Sequence, residues 1–220
     1  MGRDLPTAFE LDEEHRALRF LTRYRYHLVH DLAREKSYCL SILYLKASEY
    51  TRQDKKPFSN IFGMASRAVL QEFASIEEIA ALPFDELQEF IDVKGKRHFA
   101  NPGENTRKLQ QVANDSYHLP EVLQPAVNLI LSFSLQNITH LERLIKRLDS
   151  AITEQIDAIP HTLESIPGFG PVFSAGIIAE IGDLAHFDYN QAKVAKFAGF
   201  NGAETGTLWV PLILKLRKPS

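Results

Sequence analysis

A seven-residue apolar repeat over residues 122–159 constrains the fold of this 220-residue chain most strongly. Isoleucine or leucine fills one position of the repeat, and mostly apolar residues fill another, which is typical of a helix packed along a seam against a second helix. The first position holds Leu131, Ile138, Ile145, Ile152 and Ile159, and the second holds Val127, Ser134, Leu141, Leu148 and Gln155. The repeat predicts a long helix that needs a helical partner.

A second long segment, residues 12–50, contains neither proline nor glycine. Its apolar stripe is interrupted by Arg25, Glu35 and Cys39, so we expect either a helix with more than one contact face or one broken near Lys36. This segment can pair with residues 122–159 as an antiparallel hairpin, or both segments can pair with a second copy of the chain. The pattern is compatible with either arrangement.

Residues 57–120, between the two long segments, are punctuated by prolines and glycines and predict a small helical insert. Ser75 and Glu78 have the spacing of a capping box at a helix start. Asn105 is a candidate cap for a later helix of the insert. Because only residues 207–216 resemble a strand, the fold class is mainly α: a long helical hairpin or coiled coil with a small helical insert, followed by a helix-hairpin-helix module.

Composition excludes several classes of protein. The hydrophobic fraction of 45% and charged fraction of 24% are those of a globular chain, and the single Cys39 can form neither an intrachain disulfide nor a cysteine zinc site. We expect a cytoplasmic protein without a membrane span or signal peptide. Net charge is −3, but residues 15–56 and 94–108 are basic and residues 57–93 acidic. These blocks suit either two faces of one domain or a polyanion-binding helix beside the insert.

The segment Ile166-Pro-Gly-Phe-Gly-Pro171 predicts a turn rich in glycine between two helices, the second beginning at Pro171 and ending at Gly182. Glycines without side chains let a phosphate approach the backbone, and the free N–H groups and dipole of the second helix attract it. A plain tight turn between packed helices is the alternative. The candidate DNA-binding residues are Gly168, Phe169, Gly170, Val172, Lys193 and Lys196.

Several other polar residues fit more than one role. Four arginines interleave with three aromatic residues over positions 16–26, a mixture that suits both nucleic-acid contact and the covering of a helix interface. His27 and His30 share a helix face but supply too few ligands for a metal site. We expect Ser174 to be a small packing residue, and Glu180 and Asp183 to act at helix ends or in salt bridges.

The motifs together resemble the C-terminal domain of transposases encoded by the 110 family of bacterial insertion sequences. The resemblance rests on the hairpin, on Ala179-Glu-Ile-Gly-Asp183, on His186-Phe187 and on Ala195-Lys-Phe-Ala-Gly-Phe200. Upstream, residues 18–36 and 44–50 resemble the helix that follows the nuclease domain in that family, so the resemblance spans roughly residues 1–200.

The resemblance implies DNA transposition by a multimer that uses a guide RNA. In the family, an N-terminal RuvC-like domain binds magnesium through four acidic residues, and a C-terminal serine is the nucleophile. Neither segment is found in this chain, so the resemblance implies a truncated copy without catalytic residues or a cofactor of its own. Residues 201–220 depart from the family pattern.

We therefore expect a DNA-binding fragment of a transposase that is catalytically incomplete and self-associates through helices 12–50 and 122–159. The alternative is a structural coiled-coil dimerisation protein without affinity for DNA. The expected divisions of the chain are a linker helix (1–56), the insert (57–120), the heptad helix (121–160), the hairpin module (161–200) and an off-pattern tail (201–220).

Overall fold

The structure, a computed structural model, describes residues 11–199, except for the side chain of Gln191. The described residues form eight α-helices and no β-strand, which confirms the mainly α fold class. The helices are α1 (Glu13–Lys46), α2 (Met64–Glu72), α3 (Ile76–Ala81), α4 (Phe84–Lys94), α5 (Pro102–Asp115), α6 (Gln124–Ile156), α7 (Pro171–Ile181) and α8 (Gln191–Phe197), with 3₁₀ turns at Leu163–Ser165 and Leu184–Phe187. The strand-like residues 207–216 and the predicted tail lie outside the described part.

The chain divides into two compact units, and each contains part of both long helices. The central unit comprises residues 30–142, and the terminal unit comprises residues 1–29 and 143–220, of which 11–29 and 143–199 are described. Helix α1 continues through Lys36 without a break, so of the two alternatives for this segment the unbroken helix is correct.

The core of the central unit forms where α1 and α6 face each other. Cys39 and Leu43 of α1 are fully buried with Leu131, Leu135 and Ile138 of α6, and the four short helices α2–α5 close the same hydrophobic cluster. The short helices are held together by contacts of α5 with α3 and α4. Within this unit, therefore, the partner of the heptad helix is α1 of the same chain.

Polar contacts show that α1 and α6 run antiparallel in the central unit. Lys46 contacts Asn128, whereas Lys36, ten residues earlier on α1, forms an ion pair with Glu142 at 2.9 Å. Residue numbers increase along α1 in the direction in which they decrease along α6. The structure thus confirms the antiparallel pairing within the chain that the sequence left open.

The heptad is retained at one position and drifts at the other. All five isoleucine or leucine residues of the first position are buried, but at the C-terminal end Ile156 is buried and Gln155 is only half-buried. Two turns of an ideal helix take about 7.2 residues, slightly more than the seven of the repeat. One position of the repeat therefore moves gradually out of the seam along a long straight helix. Glu35, an interruption of the predicted stripe, accepts a hydrogen bond from Ser134 at 2.5 Å, so two polar residues pair in the seam.

Lys46 is the one lysine buried in the central unit's described residues, at 3% exposure. Its ammonium donates to the carbonyl oxygens of Leu70 (3.0 Å) and Phe73 (2.5 Å), at the end of α2, and to the side chain of Asn128 (2.7 Å). A cation at a helix C-terminus satisfies carbonyls that lack helical partners and offsets the helix dipole. Burial lowers the pKa of Lys46 to about 8, against a smaller opposing effect of Glu78.

The start of α5 in the insert differs from expectation. The side chain of Asn101, not of Asn105, caps α5 by accepting a hydrogen bond from the Glu104 backbone at 3.1 Å. The prediction was wrong by about one turn because Pro102 occupies the first helical position, which proline favours, and Asn105 instead donates to the Pro57 carbonyl.

The capping box at α3 is confirmed on one side only. The Ser75 hydroxyl accepts from the Glu78 backbone at 3.4 Å, as the spacing predicts. The Glu78 carboxylate, however, accepts from the backbone of Ala74 at 2.8 Å, one residue before the expected donor. The helix start is therefore correct, and the reciprocal bond is displaced by one residue.

The terminal unit is built around α7. Leu18 of α1, Ile152 and Ile156 of α6, and Ala175 and Ile178 of α7 share one buried cluster. A smaller cluster, which contains Ile181, Leu184, Phe187 and Val194, attaches α8 to the end of α7. None of the helices in residues 11–199 combines the length and apolar character that a bilayer crossing requires.

Candidate nucleic-acid interface

The glycine-rich segment folds as a 3₁₀ turn, a hairpin and a helix. The 3₁₀ turn at Leu163–Ser165 ends at Ile166, whose carbonyl accepts from the Phe169 backbone at 3.0 Å, and α7 begins at Pro171 as predicted. Gly182, with φ of 73°, ends α7 as predicted. The helix expected before the hairpin is reduced to a 3₁₀ turn, since prolines at 160 and 167 leave too few residues for a stable helix.

The two hairpin glycines differ in what the backbone requires of them. Gly168 has φ of 91°, a conformation that other residues adopt at a cost. Gly170 has an ordinary φ of −85°, and a Cβ placed on it would meet no atom within 4 Å. No contact or backbone strain in the described part of the protein therefore requires glycine at position 170. Both glycines are exposed, so a group from outside the protein can reach their backbone.

The start of α7 presents uncapped backbone donors. Gly170 is the N-cap residue and no side chain caps the turn, while Pro171 has no N–H to offer. Within residues 11–199, the N–H groups of Gly168, Gly170 and Val172 donate to no protein acceptor. Such N–H groups, together with the positive end of the helix dipole, form a site suited to an anion.

The other predicted hairpin residues take different positions. The Phe169 N–H is already used within the turn, and the Phe169 ring packs edge-on against Phe173 with centroids 4.8 Å apart. The half-buried side chain of Val172 packs against the core of the terminal unit, and its backbone N–H is free. Of these two residues, Val172 thus has a free backbone N–H, whereas the N–H of Phe169 is used within the turn.

The two predicted lysines lie on α8, and both are exposed. Lys193 forms an ion pair with Asp188, which lowers the pKa of that carboxyl. Ala198, two residues after Lys196, shares a groove with Gly170 and Pro171. The hairpin and the C-terminal end of α8 therefore border one groove along α7, and α8, which carries the lysines, packs at the C-terminal end of α7.

That groove is a feature the sequence analysis missed. It has a volume of about 780 Å³ and runs along the exposed face of α7 past Phe173, Gly176 and Ile177. Because α7 is apolar on all sides, one side lines the core and the other lines the groove. The all-round apolar sequence of α7 was the signal that could have revealed it.

Two arginines of α1 hold the far end of α7. Arg19 donates to the carbonyl oxygens of Ala179 at 2.8 Å and of Glu180 at 2.9 Å, so it caps the C-terminus of the helix. Arg23 makes two hydrogen bonds to the Glu180 carboxylate, at 2.8 and 3.0 Å. The bond from Arg23 is the main cause that lowers the pKa of Glu180. The salt-bridge interpretation of Glu180 is therefore confirmed.

Asp183 and Ser174 also take the structural roles that were expected. Asp183 accepts from the Ala185 backbone at 2.9 Å and caps the following 3₁₀ turn. Ser174 is fully buried on the core side of α7, where its hydroxyl has no partner among the described residues.

The magnesium chemistry implied by the resemblance does not fit the described residues. Residues 11–199 hold no group of three or more histidine, cysteine, aspartate or glutamate side chains placed to bind a metal ion. No catalytic step is assigned to them. What the described site offers chemically is a set of backbone donors at a helix start, with cations on an adjoining helix.

The described residues thus form a helical protein with an open glycine hairpin at a helix start, and backbone N–H groups in that arrangement suit an anion such as phosphate. Residues 160–205 match the model of the transposase IS116/IS110/IS902 family, which confirms the resemblance for this segment. The matched 46 residues are about a fifth of the chain and contain every candidate DNA-binding residue. No curated protein and no solved structure matches the chain. The family match supports a transposase-related role.

Proposed function

We propose that the terminal unit binds DNA through the backbone of the Gly168–Gly170 hairpin, as part of the transposition of an insertion sequence. The observation that carries the proposal is Gly170, a glycine in ordinary backbone conformation with open space beside it. A phosphate is the ligand that exposed N–H groups at a helix start suit best, and the family match makes DNA its source. This function would be exercised in the cytoplasm.

In the proposed complex, a phosphate oxygen accepts hydrogen bonds from the free N–H groups of Gly168, Gly170 and Val172. The lysines of α8, Lys193 and Lys196, add charge attraction to neighbouring phosphates. Because these contacts involve no base edge, the hairpin positions DNA without reading its sequence. The proposal concerns binding alone, and strand cutting and joining are left to other parts of a transposition complex.

The contacts of α1 with the C-terminal end of α7 support this function within the terminal unit. Arg19 and Arg23 hold the C-terminal end of α7, and its N-terminal end carries the donors. A helix fixed at one end and packed along its length keeps those donors in one orientation. Preorganised donors bind an anion without a further cost of ordering.

Self-association and guide-RNA binding belong to the proposal as further expectations from the resemblance. Within each unit, the seam residues of α6 are buried against α1, so a second copy of the chain would have to use other surfaces of these helices. Light scattering over a range of concentrations tests for a multimer. A dimer without affinity for DNA would instead support the alternative, a structural dimerisation protein.

Fluorescence anisotropy of a labelled DNA duplex tests the proposal, with salt varied from about 50 to about 200 mM. We expect binding that weakens steeply with salt. Gly170→Val should lower duplex affinity by about tenfold, the value of one charge-assisted contact, because its side chain fills the approach to the donors. Lys193→Gln should reduce the slope of log affinity against log salt by about 0.9.

Gly176→Ala is the matched control for Gly170→Val. Gly176 also has no atom within 4 Å of an added Cβ, but it lies inside α7, away from the free donors. Its variant should bind duplex DNA as the wild type does. Equal affinity of the Gly170→Val variant, or no binding at low salt, would contradict the proposal.

A further inference from the structure

The exposed face of α1 in the terminal unit carries a stripe of aromatic and basic side chains. Arg16, Phe20, Arg23, Tyr24 and His27 recur at intervals of three and four residues, so they share one face of the helix. Phe20 is 69% exposed and Tyr24 is 53% exposed, and the Tyr24 ring stacks on that of His27 with centroids 6.2 Å apart. We call this set the α1 stripe.

The structure separates the stripe from the other two arginines of the same segment. Arg19 caps α7, and Arg25 forms an ion pair with Asp149 of α6. Both side chains are half-buried in contacts inside the terminal unit, whereas Arg23 stays largely exposed although it is paired with Glu180. Arg16 and Arg23 remain exposed beside the two aromatic rings.

The stripe carries two arginines, Arg16 and Arg23. Asp12, Glu13 and Glu14 precede it on the chain and Asp31 follows it. Both carboxylate oxygens of Glu180 accept hydrogen bonds from Arg23, whose side chain is still 64% exposed. The stripe thus places two exposed guanidinium groups, which can pair with phosphates, next to large exposed rings that water solvates poorly.

We propose that the α1 stripe binds single-stranded nucleic acid, with bases stacked on Phe20 and Tyr24 and phosphates paired with Arg16 and Arg23. Aromatic rings between cations are the usual means of holding a single strand, because every base has a face that stacks. The rings lie one turn apart, about 6 Å along the helix, whereas stacked bases of a duplex are about 3.4 Å apart. Unstacked bases fit this spacing.

This inference builds on the proposed function, since both concern nucleic acid, but it concerns a different surface and a different form of the ligand. The hairpin would hold the backbone of a duplex, and the α1 stripe would hold an unpaired strand. Separate substitutions can therefore disable the two surfaces, and a failure of one binding proposal does not imply a failure of the other.

Anisotropy titrations of the whole chain with three labelled probes test the inference: oligothymidine and oligouridine of about 20 nucleotides, and a DNA duplex. The variant is Phe20→Ala combined with Tyr24→Ala. Loss of each stacking ring should weaken binding of a single strand by about tenfold. Duplex binding should stay within about twofold, since the hairpin is intact.

Matched controls come from exposed aromatic residues of the central unit. Phe133→Ala and Tyr117→Ala remove rings that are 56% and 76% exposed, and both variants should bind every probe as the wild type does. Arg16→Gln should lower the slope of log affinity against log salt by about 0.7 for a single strand. Circular dichroism should show the wild-type helix content in all variants, since exposed substitutions rarely change stability by more than about 0.5 kcal/mol.

Each outcome decides the inference. Selective loss of single-strand affinity in the double variant supports it, and loss with only one probe type identifies the strand as DNA or RNA. Unchanged single-strand binding in that variant, or absence of such binding in the wild type, overturns it. So does conversion of a multimer to a monomer by the double variant in light scattering, because the stripe would then be a contact between copies. Lack of duplex binding alone contradicts the hairpin proposal and leaves the stripe result valid.

Discussion

Lys46 should make the central unit more stable as the pH rises above neutrality, the opposite of what an ordinary exposed salt bridge does. Its ammonium is buried and held by two carbonyl oxygens and by Asn128. Burial lowers its pKa from 10.5 to about 8. Between these values the unfolded chain binds a proton that the folded chain has released, so the free energy of unfolding rises with pH.

The magnitude follows from the two pKa values. Each pKa unit corresponds to about 1.4 kcal/mol, so the full change from below pH 8 to above pH 10.5 is about 3 kcal/mol. A neutral amine keeps two N–H donors and can retain two of its three hydrogen bonds. Deprotonation therefore removes the cost of a buried charge while most of the polar contacts remain.

The buried Cys39, the single cysteine of the chain, reports unfolding of the central unit specifically. A short pulse of thiol reagent at increasing urea labels Cys39 only in unfolded molecules. The free energy of unfolding should be compared between wild type and Lys46→Met at several values from about pH 7.5 to about pH 10.5. Because the other groups that titrate in this range are the same in both proteins, their contributions to the free energy of unfolding cancel in the difference.

The difference between wild type and Lys46→Met should shift by about 3 kcal/mol in favour of the wild type over that range. Lys146→Met, at an exposed position of α6, controls for the loss of one charge. A difference that stays constant with pH, or that moves against the wild type, would refute the reasoning about Lys46.

Other variants test single contacts of the fold. Arg19→Ala removes both hydrogen bonds to the end of α7 and should lower the free energy of unfolding of the terminal unit in urea by about 1–2 kcal/mol. A change near zero would show that the carbonyl groups of Ala179 and Glu180 need no cap. Gly176→Ala should raise the thermal stability by about 0.5–1 kcal/mol, since alanine suits a helix interior better and has room there, and a loss of stability would contradict the open groove. Asn101→Ala should lower the free energy of unfolding by about 1 kcal/mol in chemical denaturation. An unchanged free energy would show that Asn101 does not stabilise the start of α5.

Much of the fold could be predicted from local sequence because the relevant signals are local. The isoleucine positions of α6 repeat with the period of a helix, and each residue of that position is buried in the structure. Pro171 and Gly182 mark the ends of α7 through properties of their own backbone. The cap of α5 was also readable, since Asn101 precedes a proline that favours the first helical position, although the prediction chose Asn105.

The sequence located the candidate site but did not determine which of its backbone N–H groups are free. The spacing of Gly168, Gly170 and Pro171 indicated a backbone anion site, and the structure places open donors there. It did not distinguish Phe169, whose N–H is used in the turn, from Val172, whose N–H remains free. That distinction depends on the exact path of four residues, which composition alone does not determine.

The sequence by itself determined which segments are helical and where the hairpin turns, because helix periodicity, capping and the geometry of proline and glycine act over a few residues. Only the tertiary structure decided the roles of the arginines of α1. Arg19 donates to carbonyl oxygens about 160 positions later, whereas Arg16 stays exposed with Phe20. Residues so close in sequence have the same local signals, and they differ only in which face of α1 meets α7 once the chain has folded.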